Sequence, residues 1–243
     1  MKIIADTHTH SVACNHAYST ISENAAAAAR REMKIMALTE HSPSMPGGPA
    51  YIYFLNLRSL PRYLCGVMLL RGIEVNIMDF EGALDLPDAV LDQLEWVIAS
   101  LHAPNIDPIS AKVHTDCWIK IANNPLVDVI GHCGDGRYPF EYKPVIREFA
   151  RTGKIVEINA HSYLVRSGAK ENCRAIALLC AEYGVRVVLN SDAHFCGDVG
   201  VFGQAQEMLE EIRFPQELII NADYDRFLAV AREKSGKLLT DEQ

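Results

Sequence analysis

The chain is 243 residues long, 49% hydrophobic and 22% charged, a balance that excludes a disordered chain and suits one large buried core. Its formal net charge of -8 disfavours non-specific binding to nucleic acid, so an anionic ligand would need positive charge supplied locally. No apolar run is long enough for a bilayer, no basic-then-apolar leader opens the chain, and the seven cysteines lack any C-x-x-C pair; the expectation is a cytoplasmic protein with reduced thiols and no membrane attachment.

Residues 2–5 read as a short strand that runs into Asp6-Thr7-His8-Thr9-His10, with His16 a short loop further on. Residues two apart in an extended segment point to one side, so His8 and His10 can grip one ion. Thr20-Ile21-Ser22-Glu23 fits a capping box opening a helix to about residue 32. A strand over 35–38 ends at Thr39-Glu40-His41, a Pro- and Gly-rich loop spans 42–49, and a helix over 51–60 stops at Pro61. A strand over 67–73 ends on Glu74. Helical patterning over 88–94 precedes a strand over 96–99 that runs into His102. A helix over 111–122 is followed by a strand over 127–130 and His132, then a helix over 142–151 by a strand over 155–158 and Asn159. The helix over 170–183 leads to a strand over 186–189 and Ser191-Asp192-Ala193-His194, and helices over 204–212 and 223–234 complete the series.

Seven strands alternating with helices imply a parallel sheet with right-handed crossovers. With no polar linker dividing the chain, residues 1–243 read as a single α/β domain closed into a seven-stranded (β/α)7 TIM-like barrel. In such barrels the loops after the strand C-termini share the face that carries the chemistry. Six of the seven strands end in a metal-competent side chain: His8 and His10, His41, Glu74, His102, His132, then Asp192 and His194. With His16, seven of the nine histidines fall in this set. Imidazole and carboxylate suit zinc, manganese or iron, and nine such groups exceed what one tetrahedral site uses, so two or three ions are implied.

These residues resemble the PHP family, named for polymerase and histidinol phosphatase, and its standalone bacterial phosphatase branch most. The resemblance runs from Asp6 to His194 through the H-x-H start, Thr39-Glu40-His41, Arg71-Gly72-Ile73-Glu74 and Ser191-Asp192-Ala193-His194. It implies a distorted (β/α)7 barrel with a trinuclear site of Zn2+, with Mn2+ or Fe2+ as other candidates. His8, His10, Glu74 and Asp192 would hold one ion; Glu74, His102 and His132 a second, making Glu74 a bridge; His16, His41 and His194 the third. His8, His10, Glu74, Asp192 and His194 would carry catalysis, the hydrolysis of a small phosphate monoester by attack of a metal-bound hydroxide. Two residues depart from the family pattern: Glu40 stands where an Asp commonly precedes the strand-two His, and Cys133 where a Pro often follows the strand-five His.

Around this set, Arg166 is the first candidate for a phosphate-binding cation and Arg137 a weaker one. His161 follows the one strand end without a ligand and is a candidate substrate contact or leaving-group acid. Asp6 is placed to orient a ligand histidine, Cys14, Cys133 and Cys196 lie beside ligands, and His114, in a helix without metal-like partners, reads as a surface residue. The sequence lacks a G-x-S-x-G elbow and a P-loop. Three alternatives stay open: an amidohydrolase-like C–N hydrolase, although no Lys occupies a ligand position; a 3'-5' exonuclease or phosphodiesterase on nucleic acid, against which the acidic charge speaks; and a non-catalytic metal-binding protein.

Overall fold

The structure is a computed structural model and describes residues 1–235. In chain order its elements are β1 (Ala5–Thr9), α1 (Ile21–Arg30), β2 (Ile35–Leu38), α2 (Tyr51–Asn56), β3 (Tyr63–Leu64), β4 (Val67–Asn76), α3 (Asp88–Leu91), β5 (Trp96–Ser100), α4 (Ala111–Ala122), β6 (Val129–Ile130), α5 (Tyr142–Thr152), β7 (Ile155–Asn159), α6 (Ser162–Val165), α7 (Ala169–Tyr183), β8 (Val187–Asn190), α8 (Gly203–Glu211) and α9 (Tyr224–Ser235). Seven strands pair in parallel in the order β1-β2-β4-β5-β6-β7-β8, and the short β3 makes an antiparallel hairpin with β4. Each parallel strand lies beside the next in sequence, as right-handed crossovers through intervening segments require.

The ring closes between β8 and β1, largely through side chains. A single parallel bridge joins Thr9 to Ala193, and the His10 N–H donates to the Ala193 carbonyl at 2.9 Å. Below it, Asn190 Oδ1 accepts from the Thr7 N–H and hydroxyl at 3.0 and 2.8 Å. Asn221, fully buried in a 3-10 turn before α9, donates from Nδ2 to the carbonyls of Ala5 and Leu189 at 2.8 and 2.7 Å, while its Oδ1 accepts from the Leu189 N–H at 3.2 Å. One side chain thus satisfies backbone groups of both edge strands.

Along the barrel strands, residues of one phase face inward. Ile35, Ala37, Met68, Leu70, Trp96, Ile98, Ile155 and Val188 pack together and are covered by α9, whose Phe227 ring lies 5.4 Å from Trp96. Two or four residues further along the same phase come His41, Glu74, His102, Glu157 and Asp192. The interior is apolar at the strand starts and carries these histidines and carboxylates at their ends. The opposite phase, including Met36, Leu69, Val97 and Val156, packs under the helices in the larger core.

Most elements fall where the sequence places them, and the capping box forms, with the Glu23 N–H donating to Thr20 Oγ1 at 3.2 Å and the Thr20 N–H to Glu23 Oε2 at 2.7 Å. The clearest departure is β1, predicted over 2–5 but found at Ala5–Thr9. Its polar residues are no obstacle to a buried strand, because Thr7 and Thr9 spend their hydroxyls on Asn190 and the Ala37 carbonyl. Likewise β4 continues past Glu74 to Asn76, so this ligand candidate lies inside a strand, and β3 and α6 carry no sequence signal long enough to predict.

Candidate metal centre

Glu74 stands at the centre, fully buried, with its two carboxylate oxygens aimed at different histidines. Oε2 lies 3.4 Å from His8 Nε2 and 3.6 Å from His10 Nε2; Asp192 Oδ1 completes the group at 3.5 and 3.2 Å from the same nitrogens. Oε1 faces the other way, 3.1 Å from His102 Nε2 and 2.8 Å from His132 Nε2, which are 3.2 Å apart. Donors bound at about 2.0–2.1 Å around a tetrahedral ion stand about 3.3 Å from each other, so both sets have the spacing of a divalent-ion site. His8 Nε2, His10 Nε2, Glu74 Oε2 and Asp192 Oδ1 are buried without a hydrogen-bond partner, although unpartnered buried polar atoms are costly. Four such atoms facing one another fit a shared cation, and the donor chemistry suits zinc or its neighbours.

The third expected group is partly rearranged. Donor atoms of His41 and His194 lie within 4.8 Å of each other and of His10. His16 stands further out on its loop, its ring 5.0 Å from the rings of both His41 and His194. His41 Nδ1 instead lies 2.6 Å from Glu74 Oε2. All nine sequence-predicted ligands therefore gather at one end of the barrel.

Orientation comes from a layer of polar groups behind the candidate ligands. His8 Nδ1–H donates to Glu157 Oε1 at 2.6 Å, His102 Nδ1–H to Asn76 Oδ1 at 2.8 Å, and His194 Nδ1–H to the Asp192 carbonyl at 3.0 Å. Glu157 is the functional residue that a strand-end search misses. Its carboxylate also accepts from Asn190 Nδ2, Asn159 Nδ2 and the His132 N–H at 2.9, 3.1 and 2.8 Å. The available signal is phase: Glu157 sits two residues after inward-facing Ile155 in a strand buried on both faces. Asp6 does not orient a ligand ring. Its carboxylate accepts from the Ser191 N–H at 3.1 Å, the Ser191 hydroxyl at 2.5 Å and the Gly200 N–H at 2.7 Å, and so holds the loop bearing Asp192. Asp192 (φ 57) and His132 (φ 26) both have left-handed backbone, a conformation that costs side-chain-bearing residues of order 1 kcal/mol or more.

Charge follows burial and pairing. Burial alone would raise the Glu74 carboxyl, but His102, His8 and His41 outweigh it and hold it well below the usual carboxylate range. Asp192 behaves alike, with burial overcome by His8 and His10. Burial would depress His8, yet Glu157, Asp192 and Glu74 lift it well above an ordinary histidine. His10 is pushed well below, by burial and then by its neighbours His41 and His194. Burial also lowers His16, to about 4.

An open cavity of ≈ 350 Å³ lies over the cluster, reaching His16, His41, His102, Asp192 and His194. Arg166 and His161 both line it. Arg166 Nη1 donates to Ser162 Oγ at 3.0 Å and lies 3.4 Å from Asp192 Oδ2. Arg137 is not in the cavity wall; its guanidinium forks onto buried Asp135 at 2.5–3.1 Å. His114 is no surface residue. It is 1% exposed, donates from Nδ1 to the Pro139 carbonyl at 2.8 Å and accepts from the Ile109 N–H at 3.0 Å, tying two loops together. Cys14 and Cys133 are buried thiols pushed far up by desolvation, and Cys14 donates to Glu40 Oε2 at 2.9 Å. Glu40 also takes the Ser11 N–H at 2.9 Å, so it braces the loop after β1 from behind the ligands.

A parallel barrel that gathers imidazoles and carboxylates at its strand C-termini defines a class, the TIM-like barrels whose sites are assembled for metal ions. Within that class the chain belongs to the PHP family: the model described as PHP domain matches residues 6–161. A "Probable phosphatase" from Acetivibrio thermocellus is 40% identical over 238 residues, covering 98% of this chain and 99% of that one. A similarly named relative from Clostridium novyi is 42% identical over 239 residues, with 98% of each chain covered. Among solved structures, histidinol phosphate phosphatase from Lactococcus lactis, complexed with zinc, L-histidinol and phosphate, shares the fold at a TM-score of 0.63 and 15% identity, covering 87% of this chain and 94% of that one. Among the described residues no helix is long and apolar enough to cross a membrane.

Proposed function

We propose that this protein is a metal-dependent phosphatase that hydrolyses small phosphate monoesters in the cytoplasm, using a cluster of divalent ions. The observation that carries the reading is the division of Glu74, whose two oxygens face two separate donor sets at metal-ligand spacing. On this reading His8, His10, Glu74 and Asp192 hold one ion, Glu74, His102 and His132 a second, and His41 and His194, with His16 or His10, a third. Zn2+ suits the donors best, with Mn2+ or Fe2+ also compatible. Such ions, when bound, bring the acidity of water toward neutral pH and offset charge on a phosphoryl group.

The chain's own residues do the rest. Glu157, Asn76 and the Asp192 carbonyl engage Nδ1 of His8, His102 and His194 and so orient the three rings, leaving Nε2 as the atom that would hold an ion. Arg166, anchored on Ser162, offers a guanidinium at the cavity wall for phosphoryl oxygens. Burial, then the neighbouring His194, keeps His161 below its ordinary pKa, so it meets substrate as a neutral imidazole suited to hydrogen bonding. In the reaction the oxygen of water forms a new bond to phosphorus, the bond to the ester oxygen breaks, and the alcohol leaves with a proton from that water. The C–N hydrolase alternative lacks its lysine: Lys154, the one buried lysine among the described residues, precedes β7 and donates to the carbonyls of Asn124 and Val127. Chelation should abolish phosphate release from p-nitrophenyl phosphate, and Zn2+ or Mn2+ should restore it. Turnover that survives complete metal removal, verified by elemental analysis, would defeat the proposal.

A further inference from the structure

The cavity above the cluster has two chemically distinct walls. Histidines and Asp192 make one part of its lining; Met45, Pro46, Pro104 and Val165, none of whose side chains can hydrogen-bond well, make another. Val165 is 58% exposed and its neighbour Leu164 is 81% exposed, so α6 presents aliphatic groups beside the mouth instead of burying them. Arg166 is the only lysine or arginine lining the cavity among the described residues, and in the proposed reaction the phosphoryl group takes it. Its Nη1 holds Ser162 and approaches Asp192, and its Nε lies 3.8 Å from Asp135. A second anionic group on a substrate would find no free cation there, and the formal charge of -8 repels it further. A leaving group rich in hydroxyls would find imidazoles for one or two of them and would set the rest against carbon.

We infer that the alcohol this site releases is uncharged and apolar, an aryl or arylalkyl group, rather than a sugar, a polyphosphate or a carboxylate-bearing group. The inference rests on the phosphatase reading and names its substrate class. At ≈ 350 Å³ the cavity is at the low end of the roughly 300–1,000 Å³ usual for small-molecule sites, room for a phosphoryl group and about one ring. A leaving group that strands a hydroxyl against this wall, or that has no ring to cover it, should be about tenfold poorer in kcat/KM.

The test compares benzyl phosphate, 4-carboxybenzyl phosphate and glycerol 1-phosphate on the Zn2+- or Mn2+-loaded full chain, because all three release primary alkoxides of similar basicity. Benzyl phosphate should exceed both others in kcat/KM by about tenfold or more, mostly through KM. Val165→Lys, at an exposed position and with folding checked by circular dichroism, should raise kcat/KM for 4-carboxybenzyl phosphate and lower the benzyl preference at least about fivefold. Equal values for benzyl phosphate and glycerol 1-phosphate, or a Val165→Lys enzyme with an unchanged ratio, overturn the inference and leave the phosphatase reading standing. No phosphate released from any of the three, nor from p-nitrophenyl phosphate, overturns both.

Discussion

Glu157 accepts hydrogen bonds from His8, Asn190, Asn159 and the backbone of His132, and two of those four belong to proposed ligands. Burial would raise its carboxyl, but the charge and hydrogen bond of His8 outweigh that and lower it, so Glu157 is an anion in the barrel interior. A Glu157→Gln variant keeps the volume but brings an amide N–H2 where only acceptors fit. Metal affinity should fall about 10–100-fold, as when other partners of ligating histidines are removed. Competition against a chromophoric chelator measures this; unaltered affinity would make Glu157 a packing residue. His114 belongs at the same scale with the opposite role. It touches no ligand, yet His114→Ala strands the Pro139 carbonyl and the Ile109 N–H and removes a ring packed 5.4 Å from Phe80. We expect a loss of about 2–4 kcal/mol in urea unfolding with metal affinity little changed. A loss below about 0.5 kcal/mol, usual for surface positions, would return His114 to the surface role that its sequence context suggests.

The strand ends bring the proposed ligands to one end of the barrel, and most of this was legible. Glu74, His102 and Asp192 each follow an inward-facing apolar residue of their own strand by four positions, Leu70, Ile98 and Val188, so a parallel barrel brings them to one end. Period-two phase also marks Glu157, but an acid inside a four-residue apolar run reads as a solvent-facing position until both faces of β7 are known to be covered. Illegible for a different reason was the burial of His114, which depends on loops whose paths are set by long-range hydrogen bonds rather than by local pattern. Gly72 is a strand feature that sequence does display, in Arg71-Gly72-Ile73-Glu74. A Cβ there would lie 2.6 Å from the Trp96 carbonyl oxygen and 2.9 Å from Thr39 Cγ2, too close to a backbone atom of the neighbouring strand to be absorbed by a side-chain rotation. Gly72→Ala should therefore push β4 from β5 and carry Glu74 with it. The expected outcome is about 1–3 kcal/mol of destabilisation, read by chemical unfolding, together with weaker metal binding. A variant with parental stability would show that the strands have slack at this register.

At the scale of the whole barrel, the weak place is the seam. Every other neighbouring pair in the ring shares a parallel ladder, whereas β8 and β1 are joined by one bridge and by the side chains of Asn190, Asn221 and, through the Ser191 loop, Asp6. The proposed ligands straddle that seam, His8 and His10 on the β1 side and Asp192 on the β8 side, so an ion shared among them would act as a clasp across it. Asn221→Leu keeps the branched shape and the number of heavy atoms but leaves the Leu189 N–H and the carbonyls of Leu189 and Ala5 without their partner, and should cost about 3–5 kcal/mol. Linkage sharpens the test, because metal stabilises a fold by RT ln(1 + [M]/Kd), an increment that shrinks when Kd weakens. If closing the seam and positioning the ligands are one event, the variant binds metal less tightly. Its deficit in Tm relative to the parent should then widen as Zn2+ is raised from chelator-buffered traces to saturation. A deficit independent of Zn2+ would separate the two, leaving Asn221 a stabilising plug and the ligands positioned by their own strands.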